Sequence, residues 1–214
     1  MRTKEEILKG NVEYSDKFIQ SVENPALSKE ILNLISNNNI ESLIDLGCGD
    51  GAFIFAIKKE FPKMEVVGID ISPRRIFGLK KKFPRNKFYV KDVCDTKLKN
   101  KFDFVHSSQV IEHVPSDKEM AKEMRRLLKD GGIMFCSSVI KKPFAVYKYR
   151  CNGKFALDPT HVREYGSQEE FLNLFRKNFK LLQSWTYPVK RKILGIHVRI
   201  PGYYLVFGIW EKRK

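Results

Sequence analysis

Between Ser42 and Ser138, short apolar runs alternate with helix-length segments, and a turn signal separates each from the next. Ser42–Leu46 reads as a buried strand, Ala52–Phe61 as a helix stopped by Pro62, and Glu65–Asp70 as a second strand. Ser72-Pro73 then supplies an N-cap and a proline at the first helical position. Lys87–Lys91 and Phe102–His106 read as strands three and four. Ser116 with Glu119 forms a capping-box pattern for a helix to about Lys129, closed by Gly131-Gly132, and Ile133–Ser137 is a fifth strand. Strands alternating with helices in units this short imply a doubly wound α/β fold, a mostly parallel sheet with helices on both faces.

The flanks differ. The first forty residues are expected to be helical, from Lys4 to Gln20 and from Ser28 to Ser36, with Asn24-Pro25 as the turn. They form an N-terminal helical cap (1–40) belonging to the same domain as 41–214, since 214 residues fit one domain. After Ser138 a loop-like stretch runs to about Gly166, followed by a helix capped by Ser167 with Glu170. Two strands near Phe179–Tyr187 and Tyr203–Trp210 are joined by a basic segment rather than a helix, which reads as an antiparallel pair.

Composition excludes several classes. Hydrophobic residues make up 43% of the chain, enough for a core. The four cysteines contain no C-x-x-C pair, so they read as buried small apolar residues in a reducing compartment. The charged start Met1–Glu6 lacks the apolar stretch of a signal peptide, and no window offers the roughly 20 apolar residues of a membrane span. A cytoplasmic protein is expected. Net charge is +15 and uneven, with 16 Lys/Arg against 5 Asp/Glu in residues 141–214. Such a field favours an anionic partner, although a solvated basic surface accounts for it equally well.

The sharpest motif is Leu43-Ile44-Asp45-Leu46-Gly47-Cys48-Gly49-Asp50-Gly51. Glycines at alternate positions after a strand allow a tight turn into the next helix and let a ligand lie against the backbone. Asp70 ends the next strand, where a carboxylate can accept from ribose hydroxyls. Asp92 closes the third strand, placed to accept from an adenine amino group. In this order and spacing, the segment from Ser42 to Ser138 resembles the class I S-adenosylmethionine-dependent methyltransferase family. The stretch Ser107–Val114 is similar to its small-molecule, lipid and glycan branches. The resemblance implies a seven-stranded Rossmann-like sheet with the last strand antiparallel. It implies S-adenosylmethionine as cofactor, held by Asp45, Gly47, Cys48, Gly49, Gly51, Asp70, Ile71, Asp92, Val93 and Ser108.

A nicotinamide-binding Rossmann domain competes, because Gly47-x-Gly49-x-x-Ala52 also fits its fingerprint. Asp45 decides against it: a carboxylate there would face a pyrophosphate, whereas it suits the methionine ammonium. Asp92 is an acid that a dinucleotide fold does not require, and the ending leaves no room for a separate catalytic domain.

Methyl transfer to a hydroxyl or ammonium needs a base. His161, in Asp158-Pro159-Thr160-His161-Val162-Arg163-Glu164-Tyr165, resembles a segment of glycan- and natural-product-modifying relatives and is the first candidate; holding its loop is the plainer role. His113 is the second. His106 reads as a strand-four core or edge residue, and Glu112 as a residue that orients His113 or the cofactor. No carboxylate–histidine cluster has ligand spacing, so no metal site is expected. The acceptor is expected at Arg163, Tyr165 and the basic segment Lys190, Arg191 and Lys192, with Lys141, Lys142, Lys148, Arg150, Lys154 and the aromatics Tyr147, Tyr149, Trp185 and Tyr187 nearby. These suit an anionic small-molecule, glycan-linked or lipid-linked acceptor. RNA methylation and a non-catalytic S-adenosylmethionine-binding subunit remain as alternatives.

Overall fold

A computed structural model of the chain describes residues 2–19, 25–145, 149–151, 154–156, 158–193 and 196–213. Two helices open it, α1 (Lys4–Lys17) and α2 (Lys29–Asn37). Then come β1 (Ser42–Leu46), α3 (Ala52–Glu60), β2 (Glu65–Asp70), α4 (Pro73–Lys82), β3 (Lys87–Val90), β4 (Phe102–Ser108), α5 (Asp117–Leu127) and β5 (Leu128–Lys141). Two short strands β6 (Tyr149–Cys151) and β7 (Lys154–Ala156), the helix α6 (Gln168–Asn173), β8 (Phe179–Ile193) and β9 (Ile196–Lys212) complete it.

The main sheet has seven strands in the order β3-β2-β1-β4-β5-β9-β8. Strands β1 to β5 pair in parallel, and β9 runs antiparallel to both β5 and β8. The last strand is therefore the antiparallel one, as expected. Successive residues of a strand face opposite sides of the sheet, and both sides are covered here. Ile44, Val105, Met134 and Val206 enter one apolar cluster, while Leu43, Phe104, Ile133 and Ile209 enter the other. That double burial explains why β1 is apolar at three of its five positions, Leu43, Ile44 and Leu46, with the buried Asp45 the exception among its larger side chains.

Helix starts follow their caps. Ser72, Ser116 and Ser167 each accept from the backbone N–H three residues on. Glu170 does not close the box on Ser167; its Oε2 accepts from the N–H of Gly166 at 2.7 Å. Met120, Met124 and Leu127 form the stripe that α5 buries.

Three expectations change. The stretch after Ser138 contains the β6–β7 hairpin rather than loop alone. β5 already begins at Leu128, so Gly131-Gly132 lie inside strand-like backbone instead of closing α5. β8 and β9 continue well past Tyr187 and begin well before Tyr203, pairing Lys190 with Arg199 and Lys192 with His197. The basic segment is thus the outer end of a long hairpin. A register shift between Pro188 and Lys190 accommodates the proline that interrupts the strand pattern. Asn24, Tyr147, Lys148 and the end of the first expected helix at Gln20 lie outside the described residues. Among the described residues no helix is long and apolar enough to cross a membrane.

Asp103 secures the amino ends of the central strands. Its Oδ2 accepts from the Ser42 hydroxyl at 2.7 Å and backbone N–H at 3.0 Å, and its Oδ1 meets Lys129 Nζ at 2.8 Å. Burial works to raise its pKa, but the Lys129 ammonium and the Ser42 donors outweigh it and hold the carboxyl below 3.8. A depressed carboxylate pKa adds stability above the unfolded value and loses it as pH falls through the folded one. Asp103→Asn is expected to cost about 1–3 kcal/mol in denaturant unfolding at pH 7, with the gap from wild type shrinking below pH 3.8. A gap that persists undiminished in acid would contradict the charge's part in it.

Candidate active site

The carboxyl ends of β1, β2 and β4 open into a cavity of about 790 Å³, within the usual range for a small-molecule site. The turn after β1 is pinned to β2, since the N–H groups of Gly47 and Cys48 both donate to Ile69 O at 2.8 Å. Gly47 has φ +78, and a Cβ there would stand 2.3 Å from Val110 Cγ2, so this glycine permits the turn and the packing beneath it. Gly49, at φ +53, has only Arg75 Nη1 at 3.6 Å near a Cβ position, and it lines the cavity. Asp70 braces the same turn: Oδ2 accepts from Gly49 N–H and Oδ1 from Ser72 N–H, each at 2.8 Å. Burial raises the Asp70 pKa, and those two donors offset it in part.

Asp45 is nearly inaccessible, and its Oδ1 lies 2.7 Å from His106 Nδ1. The His106 ring stacks on Phe53 at 3.5 Å and Phe135 at 5.0 Å, both within 10° of parallel. His106 therefore orients the first acid of the glycine motif, a role sequence reasoning missed. The signal was available in the pairing of adjacent parallel strands, which sets Asp45 directly opposite His106.

Asp45, Gly47, Cys48, Gly49, Asp70, Ile71, Asp92, Val93 and Ser108 all line this one cavity. Gly51 does not; it is the left-handed N-cap of α3, and a Cβ there would stand 2.4 Å from Leu79 Cδ2. Its place is in packing α3 against α4. Asp92 meets Lys4 Nζ at 3.2 Å, so α1 reaches the site. Leu8, Asn11 and Tyr14 of that helix line the cavity too, and Tyr14 Oη donates to Asp158 Oδ2 at 2.9 Å.

The expected acceptor residues fare differently. Arg163 donates to the carbonyls of Ile111 and Val114 at 2.7 Å and Pro115 at 2.9 Å, and its Nε lies 3.6 Å from Asp117. Its donors hold the loop after β4 and are not presented to an acceptor. Tyr165 is buried against Phe171, its hydroxyl 3.2 Å from Asp117 Oδ2, and its burial pushes the phenol pKa far up. It is a core residue. Lys190 is exposed on the hairpin and does not line the cavity. The side chains of Arg191, Lys192, Tyr149, Arg150 and Lys154 lie outside the described part.

His113 lines the cavity, whereas His161 stands behind it, the two rings 4.7 Å apart and edge to face. Thr160 gives its proton to Asp158 Oδ1 at 2.5 Å and accepts from His113 Nδ1 at 2.8 Å. His161 Nδ1 lies 2.6 Å from Glu164 Oε1. Both imidazoles therefore carry hydrogen on Nδ1. Burial, reinforced by His161, holds the His113 pKa below its usual range, so the ring is neutral. Glu112 is wholly buried; Oε2 accepts from Ser138 Oγ at 2.9 Å, and Oε1 has no partner among the described residues. Burial pushes its pKa up to about 7.

Comparison with known proteins bears on this arrangement. The family model described as "Methyltransferase domain" matches residues 19–198. The chain belongs to this family of S-adenosylmethionine-dependent methyltransferases. Among its curated relatives, malonyl-[acyl-carrier protein] O-methyltransferase 1 of Ilyobacter polytropus is 25% identical over 146 residues, covering 66% of this chain and 53% of that protein. Ubiquinone biosynthesis O-methyltransferase of Coxiella burnetii is 30% identical over 131 residues, 58% of this chain and 55% of that one. The chain spans about half the length of either. The fold is shared with N-methyltransferase NodS of Bradyrhizobium japonicum WM9, a structure in complex with S-adenosyl-L-homocysteine. That likeness has a TM-score of 0.67 at 13% identity and covers 95% of this chain and 99% of that one. In this methyltransferase domain the glycine turn and its acids border a single cavity at the carboxyl edge of the sheet, where open α/β folds bind ligands.

Proposed function

We propose that the protein transfers the methyl group of S-adenosylmethionine to an oxygen or nitrogen of a small, glycan-linked or lipid-linked anionic acceptor. The observation that carries this reading is the convergence of Asp45, Asp70 and Asp92 on one cavity beside Gly49, whose missing side chain leaves room for a ligand. The fit is chemical as well as steric. Asp45, aimed by His106, suits an ammonium; Asp70 retains lone pairs for ribose hydroxyls beyond its two backbone donors; Asp92 suits an adenine amino group. Bound there, the cofactor supplies a methyl group already activated on a sulfonium. The residues then contribute mainly alignment, which can be worth about 7–11 kcal/mol. An acceptor hydroxyl would lose its proton at the His113–His161 pair, of which His113 faces the cavity.

The acceptor class draws support from the names of the two curated relatives, a malonyl-[acyl-carrier protein] O-methyltransferase and a ubiquinone biosynthesis O-methyltransferase, and from the excess of Lys and Arg after residue 141. Purified protein supplied with methyl-labelled cofactor and fractionated cell extract is expected to label an anionic small-molecule, lipid or glycan fraction. Label confined to RNA would overturn the acceptor class.

A functional split is expected within the hairpin. Replacing Lys190, Arg191 and Lys192 by Ser should leave S-adenosylmethionine affinity within about threefold, less than 1 kcal/mol. Methylation of the anionic acceptor should fall, and added salt should inhibit the wild type in the same direction by screening. Unchanged turnover in the triple variant would return these charges to solvated surface.

A further inference from the structure

We propose that Glu112, His113 and His161 form a binding site for a single divalent transition-metal ion at the edge of the cofactor cavity. One donor atom from each residue lies within 4.8 Å of the other two, and they come from two loops, the one after β4 and the one before α6. Two imidazoles and one carboxylate are the donor set that suits ions of borderline softness such as Zn²⁺, Co²⁺ or Fe²⁺.

Three independent features point to an ion rather than a self-contained hydrogen-bond cluster. Glu112 Oε1 is buried and has no hydrogen-bond partner among the described residues, a costly arrangement unless something else meets it. Its other oxygen is held by Ser138, so the carboxylate orientation is fixed. Both rings are tied at Nδ1, His113 through Thr160 to Asp158 and His161 to Glu164. Nε2 is thus the nitrogen each can offer, with its lone pair free of hydrogen. Metal-ligating histidines are braced in this way, the far nitrogen donating to a carboxylate or hydroxyl. The backbone supports it as well, since Val162 N–H donates to Glu112 O at 2.8 Å and joins the two loops.

Bonds of about 2.0–2.2 Å to one ion require donors within about 3.5 Å of each other. Three protein ligands leave at least one coordination position open, and His113 lines the cavity. An acceptor oxygen is the natural occupant of that position; this role rests on the methyl-transfer reading, whereas ion binding does not. In the ion-loaded protein Nε2 of each ring holds the ion and neither ring is the base.

The test uses the whole chain, stripped with chelator and titrated with Zn²⁺, and with Co²⁺ as an optical reporter. One ion per chain is expected, with a visible Co²⁺ spectrum and a higher melting temperature in the loaded protein. Glu112→Gln and His161→Gln should each weaken binding at least tenfold. Glu164→Gln, which touches no ion, should weaken it by a smaller factor. S-adenosylhomocysteine binding is measured on the same samples, so loss of the ion with cofactor binding intact separates this site from the methyltransferase reading. Substoichiometric uptake by the wild type overturns the proposal. Equal affinity in folded Glu112→Gln and His161→Gln protein overturns it too. Wild-type stoichiometry decides the matter even if a variant fails to fold.

Discussion

Gly49→Val is expected to bind S-adenosylmethionine more than a hundredfold more weakly than wild type while remaining folded. The two halves of that expectation have separate causes. At φ +53 a β-branched residue is strained, at a cost of order 1–3 kcal/mol, which a domain of ordinary stability, roughly 5–15 kcal/mol, survives. No packed core atom opposes the new side chain, because the nearest heavy atom to a Cβ is Arg75 Nη1 at 3.6 Å. The isopropyl group would instead enter the cavity that Gly49 lines. Gly47 would be a poorer probe, since a Cβ there strikes Val110 and confounds binding with folding. Calorimetry paired with a melting curve checks the result; wild-type affinity in a folded variant would mean that the ligand does not lie against this turn.

Asp45→Asn separates charge from shape. The amide keeps the volume and an oxygen that can still accept from His106 Nδ1, now 2.7 Å from the carboxylate. Stability should therefore change little. Removing the charge from a nearly inaccessible position should weaken cofactor binding by about 2 kcal/mol or more, roughly thirtyfold. Retained affinity would reduce Asp45 to a partner of His106 alone.

Much of this was legible in the sequence because it depends on local rules. Glycine spacing after an apolar run, serine caps three residues before an acid, and Pro73 behind Ser72 each state their own geometry, and the structure places a turn or helix at each. The extent of the β8–β9 hairpin was not legible, because Pro188 and Pro201 interrupt the pattern while pairing across the strands continues beyond them. Arg163 and Tyr165 were assigned to an acceptor on residue type. Their partners are the carbonyls of residues 111, 114 and 115 and the Asp117 carboxylate; carbonyls leave no mark in a sequence. The Glu112–His113–His161 cluster escaped for a related reason. Spacing rules find ligands that share an element, and here the third ligand arrives from a loop 48 residues away, brought in by the pairing of Tyr165 with β5.

The central claim, that the cavity at the carboxyl ends of β1, β2 and β4 is a sulfonium-nucleoside site, is tested most directly by calorimetry with two ligands. S-adenosylhomocysteine is expected to bind one per chain with micromolar-range affinity, and NADH not to bind, because the Asp45 carboxylate lines the cavity at the glycine turn, where it would face a pyrophosphate. Tight NADH binding, with no heat from S-adenosylhomocysteine or S-adenosylmethionine, would contradict the account.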